Sequence, residues 1–198
     1  MATLFMTPTE RAAGLERLGY AANEARFLEL AAVHGGYFLR RQCEAFEPGI
    51  SERLIEKVLA REDAKVMPFL SETLVYHLCR RPFYDAIGQE DNRNRREREP
   101  LTIKRKLMGV DVVLSRPGAR FLATEEEKVA YFTIESGVAL NQLPCRLFTA
   151  RTGSKETRRY FVDKYPIFTP MARTIPTTGP RTISTIHPPD LNWDQCAL

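Results

Sequence analysis

The sequence predicts an α+β protein, and three observations support this class. Before residue 62, apolar residues recur at helical spacing in short segments separated by glycine and proline. Two runs rich in β-branched and aromatic residues follow, KVMPF (65–69) and LVYHLC (74–79). Beyond residue 118, short strand-like runs surround one well-capped helix.

Composition and charge exclude several classes of protein. Of the 198 residues, 43% are hydrophobic and 10% aromatic, which is typical of a globular chain. No apolar run approaches the roughly 18 residues of a membrane-spanning helix. The first residues lack the basic and apolar regions of a secretory signal, so a cytoplasmic protein is expected. The four cysteines are dispersed and predict free thiols, and we expect neither a metal nor a cofactor.

Three short helices are predicted in the N-terminal part. The first spans 23–34, with Asn23 as its N-cap and Gly35-Gly36 as its end. The second spans 39–46. The third begins at Ser51 and runs to Arg61. Its apolar stripe, which should be buried, consists of Leu54, Ile55, Val58 and Leu59.

The two β-leaning runs that follow the third helix predict a hairpin. Three short helices and then a hairpin is the order of a winged helix-turn-helix, which we assign to residues 20–88. In that fold the third helix enters the major groove of DNA. A small helical bundle capped by a hairpin, with no role in nucleic-acid binding, is the alternative. The basic candidates for DNA contact on the third helix are Arg53, Lys57 and Arg61. Glu52 and Glu56 lie among them, so charge alone does not decide.

Residues 89–106 form a segment that we call the basic strap. From Asn92 to Lys106 it carries seven Lys or Arg against two Glu, whereas the whole chain carries a net charge of only +4. Arginine, which suits bidentate phosphate contacts, outnumbers lysine here. We therefore predict contacts with the DNA backbone, and a solvated linker held open by like charge is the alternative. The candidate residues are Arg93, Arg95, Arg96, Arg98, Lys104, Arg105 and Lys106.

The strap is preceded by a short helix at 82–88 and leads into a helix with Ile103, Leu107, Val110 and Leu114 on one side. Residues 107–168 are assigned to a small α/β domain. Its strands are predicted at 119–123, 143–150 and 157–168, with a loop around Gly153-Ser154. Its helix begins after Thr124 in a capping box with Glu127 and runs to about Phe132. From residue 169 to 198 the chain is rich in proline and threonine without periodicity, so an extended or disordered tail is expected, with Trp193 as its one docking candidate.

Three segments together resemble replication-relaxation proteins carried by mobile elements of proteobacteria. These segments are LGYAANEARFLELAAVHGGYFLRRQ, RNRRERE with IKRKLMGVDVVL, and RYFVDKYPIF. In that family a winged helix precedes a small α/β domain, and the resemblance covers residues 15–168. It implies DNA association in plasmid or integrated-element biology, and it carries over no catalytic residue.

Tests for enzyme chemistry fail on spacing. His77 and Arg80 match the HxxR box of tyrosine recombinases, but Tyr84 follows too closely for the rest of that site. A metal-dependent nuclease could use Asp111 with Asp163-Lys164. However, adjacent residues on the strand predicted there point to opposite faces. No zinc-protease, phosphate-loop or serine-hydrolase motif occurs. A non-enzymatic protein is therefore expected, and His34 and His77 are interpreted as structural.

Two functional hypotheses remain. The first is a DNA-binding protein of a mobile element, acting as a regulator or as a replication or transfer accessory factor. Double-stranded DNA would be its partner. The second is a protein-interaction module, such as a phage- or plasmid-encoded inhibitor, whose strap grips an acidic protein surface. The DNA site, the natural partner and the oligomeric state stay open.

Overall fold

A computed structural model describes residues 5–69, 73–149, 156–164, 166–170 and 184–185. The chain divides into two compact units, with the border between Pro117 and Gly118. Each unit is described by itself. In the part of the chain described here, no helix is long and apolar enough to cross a membrane.

The first unit contains six α-helices and a three-stranded sheet among its described residues. The helices are α1 Pro8–Arg17, α2 Ala22–His34, α3 Arg40–Phe46, α4 Ser51–Ala60, α5 Arg81–Ala86 and α6 Pro100–Leu114. The strands are β1 Tyr37–Phe38, β2 Ala64–Phe69 and β3 Thr73–Leu78, and a 3-10 turn spans Arg93–Arg95. The helices predicted in this region and the hairpin are confirmed, and the fold is α+β. Helix α1 and strand β1 were not predicted.

The sheet has the antiparallel order β1-β3-β2. Because side chains alternate between the faces of a strand, neighbouring residues of β3 pack on different partners. Val75 and Tyr37 pack with Ile103 and Leu107 of α6. Tyr76 on the other face stacks on Phe38. Phe38 in turn meets Phe27 of α2 edge to face, with ring centroids 5.4 Å apart. Both faces of β3 are therefore buried, one by α6 and the other by the helices that precede the hairpin.

Helix α4 buries the predicted stripe. Leu54, Ile55 and Val58 are buried and Leu59 is half-buried, so the stripe belongs to the core.

The predicted N-cap of α2 is wrong, because the helix begins one residue earlier, at Ala22. The carboxylate of Glu24, and not the Asn23 side chain, accepts the N–H of the preceding Ala21 at 2.8 Å. The Asn23 amide instead donates to Glu47. At the other end the helix stops at Gly35 as predicted, and Gly36 follows with φ +77°.

The predicted borders at 88–89 and 106–107 fall inside the first unit. The reason is the packing of α6 on the sheet, which joins the strap and the helix after it to the preceding elements.

Among its described residues, the second unit contains two small sheets. Its strands are β4 Ala119–Leu122, β5 Cys145–Thr149, β6 Glu156–Tyr160, β7 Ile167–Pro170 and β8 Ser184–Thr185. One sheet has the order β4-β7-β8, and β5 and β6 form a separate antiparallel pair. Helix α7, Glu125–Ala130, continues into a π-helical turn at Tyr131–Glu135, with 3-10 turns at Leu140–Gln142 and Phe161–Lys164.

Two predictions for the second unit have different outcomes. Thr124 is confirmed as the N-cap, since its Oγ1 accepts the N–H of Glu127 at 3.1 Å, and the Glu127 carboxylate accepts the N–H of Ala123 at 2.8 Å. A single strand over 157–168 is wrong, because the Phe161–Lys164 turn separates β6 from β7. Pro166 has no N–H to continue a strand ladder through this point. The Gly153-Ser154 loop, Trp193 and most of the predicted tail lie outside the described residues, although β8 pairs with β7.

Candidate nucleic-acid interface

The first two predicted DNA-contacting side chains on α4 are held by a buried carboxylate. The Arg53 Nε lies 2.9 Å from Glu24 Oε1, and the Lys57 Nζ lies 2.7 Å from Glu24 Oε2. The Glu24 side chain is 0% exposed. Burial alone would raise the pKa of Glu24, but hydrogen bonds from Lys57 and from the Ala21 N–H outweigh burial, and the pKa is lowered. Glu24 is therefore ionised and partly neutralises both cations.

The third candidate, Arg61 at the C-terminal end of α4, is also paired. Arg61 donates to Asp63 at 3.1 Å, and its guanidinium lies 5.2 Å from the centre of the Tyr20 ring. Asp63 is buried and also accepts the Tyr20 hydroxyl at 2.6 Å. Glu52 and Glu56 are exposed on α4 beside the exposed Arg53. The outward face of this helix therefore carries both acidic and basic side chains.

The basic strap is divided between two elements. Arg93, Arg95, Arg96 and Arg98 precede α6, whereas Lys104, Arg105 and Lys106 belong to its first two turns. In the segment before α6, one residue points inward. The Asn94 side-chain amide donates to the carbonyl oxygens of Ala32 and Val33 in α2, at 2.8 and 3.2 Å. The strap is therefore held against α2 and is not a free linker.

Two further side chains hold the same residue. The Asn94 carbonyl accepts from Nε2 of His77 in β3 at 2.8 Å, and its side-chain oxygen accepts from the Lys106 ammonium. Two residues farther on, the Tyr37 hydroxyl donates to the Arg96 carbonyl at 3.3 Å. Lys106, which was predicted to contact DNA, thus bonds within the strap.

Six strap cations have no carboxylate partner among the described residues. They are Arg93, Arg95, Arg96, Arg98, Lys104 and Arg105. Arg93, Arg96, Lys104 and Arg105 are exposed, while Arg95 and Arg98 are half-buried and donate to the Glu90 and Arg93 carbonyls. These cations lie within 13 residues of each other in sequence on one docked segment. Chemically, such a surface can pair with anionic groups.

His77, Arg80 and Asp111, which were considered for enzyme chemistry, form contacts within the fold. His77 is buried and stacks on Tyr37 with ring centroids 4.2 Å apart, and burial lowers the pKa of its imidazole. Arg80 faces Asp63 instead. Asp111 forms a bidentate pair with Arg41, with the shorter contact at 2.7 Å. Among the residues that the structure describes, no group of three His, Cys, Asp or Glu is placed to hold a metal ion.

Sequence reasoning missed Glu24 and Asn94. A signal existed for Glu24, which stands three residues after Ala21, where the side chain of a capping box lies. Asn94 is the one uncharged residue between Arg93 and Glu97, but nothing in the sequence indicates its distant partners. Comparison of this chain with protein-family models, with curated proteins and with solved structures gave no match.

Proposed function

We propose that the first unit is built on a winged helix-turn-helix and that the protein binds duplex DNA through the phosphate contacts of its basic strap. The element order supports the first part of the proposal. It runs α2-β1-α3-α4-β2-β3, with the two long strands as the hairpin. This is the arrangement in which winged-helix proteins place a helix pair beside a wing.

The observation that carries the DNA proposal is the contrast between paired and unpaired cations. The α4 cations bond to Glu24 and Asp63, both of them buried, so a phosphate contact there would have to compete with an existing ion pair. The six strap cations meet no such competition among the described residues. Released counterions drive the binding of such cations to DNA. Arginine adds a guanidinium that fits two phosphate oxygens at once.

The same contrast changes the expected mode of binding. If α4 entered the major groove, Glu52 and Glu56 would approach the negatively charged backbone. We therefore propose that the strap contacts phosphates and that α4 does not read bases. Contacts of this kind position a protein on DNA without reading its sequence. A non-enzymatic regulator or a replication or transfer accessory factor of a mobile element would use such binding.

One observation favours a second candidate function. The exposed glutamates of α4 disfavour a groove-reading helix, and guanidinium groups pair with carboxylates as readily as with phosphates. An interaction module whose strap grips an acidic protein surface would have the same exposed cations. In that case the strap variants described next would abolish one protein complex and leave any DNA affinity unchanged.

The test compares two triple variants of equal charge. One replaces Arg93, Arg96 and Arg105, which are exposed and lack carboxylate partners among the described residues. The control replaces Arg26, Arg53 and Arg81, which are also exposed but have acidic partners. Gel shifts at two salt concentrations should show a weaker affinity of the strap variant for every duplex sequence. The slope of log K against log salt should shrink by up to about 3. Equal losses in both variants, or a wild-type protein without salt-sensitive duplex binding, would refute the proposal.

A further inference from the structure

We infer that Asn94 is a positioning residue, which anchors the basic strap in its binding conformation before any partner arrives. The anchoring is a property of the free protein. Its consequence for DNA rests on the function proposed above. The expected partner is a rigid double helix, because an element of fixed shape matches phosphates of fixed spacing.

The first support for this inference is the role of Asn94 at the end of α2. The last carbonyl groups of a helix have no partner within the helix. Gly35 and Gly36 both return their N–H groups to the Ala31 carbonyl. The carbonyls of Ala32 and Val33 instead accept from the side-chain amide of Asn94. This residue lies 62 positions after Ala32 and 61 positions after Val33. Asn94 thus completes the end of a helix to which it does not belong.

The second support is that the elements holding Asn94 come from separate parts of the fold. His77 of β3 is buried and donates to the Asn94 carbonyl. Lys106 of α6 donates to the Asn94 side-chain oxygen. The end of α2, the central strand β3 and helix α6 therefore all hold the same residue. Because three separate elements hold Asn94, this residue fixes the strap to the core of the first unit.

The third support is steric. A Cβ atom at position 36 would lie 2.7 Å from the Asn94 carbonyl oxygen and 2.8 Å from the Asn94 Cβ. Real Cβ atoms do not approach other atoms so closely, so only glycine allows the strap to dock here. Gly36 therefore leaves the space that the Asn94 backbone and Cβ occupy, in addition to following the end of α2.

The anchor fixes the direction of the neighbouring arginines. With Asn94 directed inward, Arg93 and Arg96 lie exposed on either side of it. Four arginines lie within six residues of this segment, and their mutual repulsion would spread a free chain. A strap that is already held in place binds without first losing conformational entropy. Asn94 would thus strengthen DNA binding without contacting DNA.

The test uses Asn94→Ala, with Asn23→Ala as the matched control. The Asn23 amide also donates a hydrogen bond, to Glu47 at 2.9 Å, but it lies at the start of α2. In the first experiment, limited trypsin digestion without DNA is followed by mass spectrometry. Cleavage after Arg93, Arg95, Arg96 and Arg98 should be at least about tenfold faster in Asn94→Ala, because local opening exposes the strap. The control should match the wild type. Equal strap cleavage in all three proteins would overturn the inference, whatever happens with DNA.

The second experiment measures affinity for a duplex and for a single strand at two salt concentrations. Asn94→Ala should lose duplex affinity and part of the salt slope while its circular dichroism stays unchanged, and binding to the single strand should change less. Faster strap cleavage with unchanged duplex affinity would overturn the positioning role. If the wild-type protein binds no DNA, the proposed function fails, and the trypsin experiment still decides whether Asn94 anchors the strap.

A second variant covers the case in which the alanine variant does not fold. Asn94→Asp keeps the size of the side chain and the oxygen that accepts from Lys106, but it loses both donors to α2. Its strap should also be cleaved faster than that of the wild type. Wild-type cleavage rates in a folded Asn94→Asp would show that the bonds to α2 do not hold the strap.

Discussion

The carboxylate of Glu24 lies 2.7 Å from the ammonium of Lys57, and this contact sets the charge of the α4 surface. A helix with Arg53, Lys57 and Arg61 looks basic in sequence, but its cations are held by acids that are buried beside it. The positive potential of the first unit is therefore expected at the strap.

Replacing Lys57 with Ala should destabilise the protein without weakening duplex binding. The change removes one partner of a buried carboxylate, and a cost of about 1–3 kcal/mol in the free energy of unfolding is expected because Lys57 itself is half-exposed. Lys104→Ala is the control, since Lys104 is exposed and has no carboxylate partner among the described residues. It should leave the urea midpoint unchanged and reduce affinity. The reverse pattern would identify α4 as the DNA-contacting element.

Leu54→Ala should cost about 2–5 kcal/mol of unfolding free energy, because the Leu54 side chain is 0% exposed in the core beneath α4. Leu101→Ala removes the same atoms from a side chain that is 70% exposed and should cost far less. Urea denaturation of both variants measures the difference. Equal midpoints would show that α4 does not pack as described.

Stability should fall as the pH drops below about 6.5, owing to His77. Burial lowers the pKa of His77 in the folded protein, so the unfolded chain binds the proton more readily. The contribution of neutral His77 is thus complete above the unfolded pKa and is lost as the pH falls from there towards the folded pKa. Glu24 also has a lowered pKa, but its contribution to stability is lost only as the pH falls below the usual value of 4.5, which is a separate pH range.

Urea midpoints at pH 7.5 and 5.5 test this expectation for the wild type and for His77→Gln. Glutamine can still donate to the Asn94 carbonyl but does not titrate. The difference between the two midpoints should shrink in the variant, with His34 present in both proteins. A difference of unchanged size would assign the pH dependence to other groups.

Thr124→Ala should loosen the start of α7 in the second unit. The Thr124 hydroxyl accepts the Glu127 N–H at 3.1 Å, and the loss of such a cap costs about 0.5–2 kcal/mol. Hydrogen exchange should accelerate across α7 and stay unchanged across α6. Thr124→Ser keeps the oxygen and should behave like the wild type. Faster exchange in both variants would point to the Thr124 methyl group rather than to the cap.

The sequence predicted those elements whose signal lies within the element itself. The stripe of α4 and the N-cap at Thr124 are local patterns, and both appear in the structure. Helix α1 was missed although it has the same kind of signal, a capping box of Thr7 and Glu10 with a proline in its first turn. The sequence therefore contained the information needed to predict α1.

The state of the strap was not predictable from sequence. Its position depends on Asn94 meeting Ala32 and His77, which are separated from it by 62 and 17 residues. Likewise, the number of arginines and lysines in a segment does not show which of them have acidic partners. The second unit illustrates another limit, since the segment 157–168, which was predicted as one strand, contains the turn at Phe161–Lys164.

The packing of Tyr37 and Val75 on α6 determines where this protein can be divided. A fragment ending at residue 88 would contain α2 to α4 and the complete hairpin, but Ile103 and Leu107 would be missing from the apolar face of the sheet. We expect such a fragment to self-associate through that exposed face, because association removes its apolar surface from water. The smallest autonomously folding piece should therefore extend through Leu114. The strap is thus an internal part of that piece, and a swap of the hairpin and its helices into another protein would have to carry the strap with it.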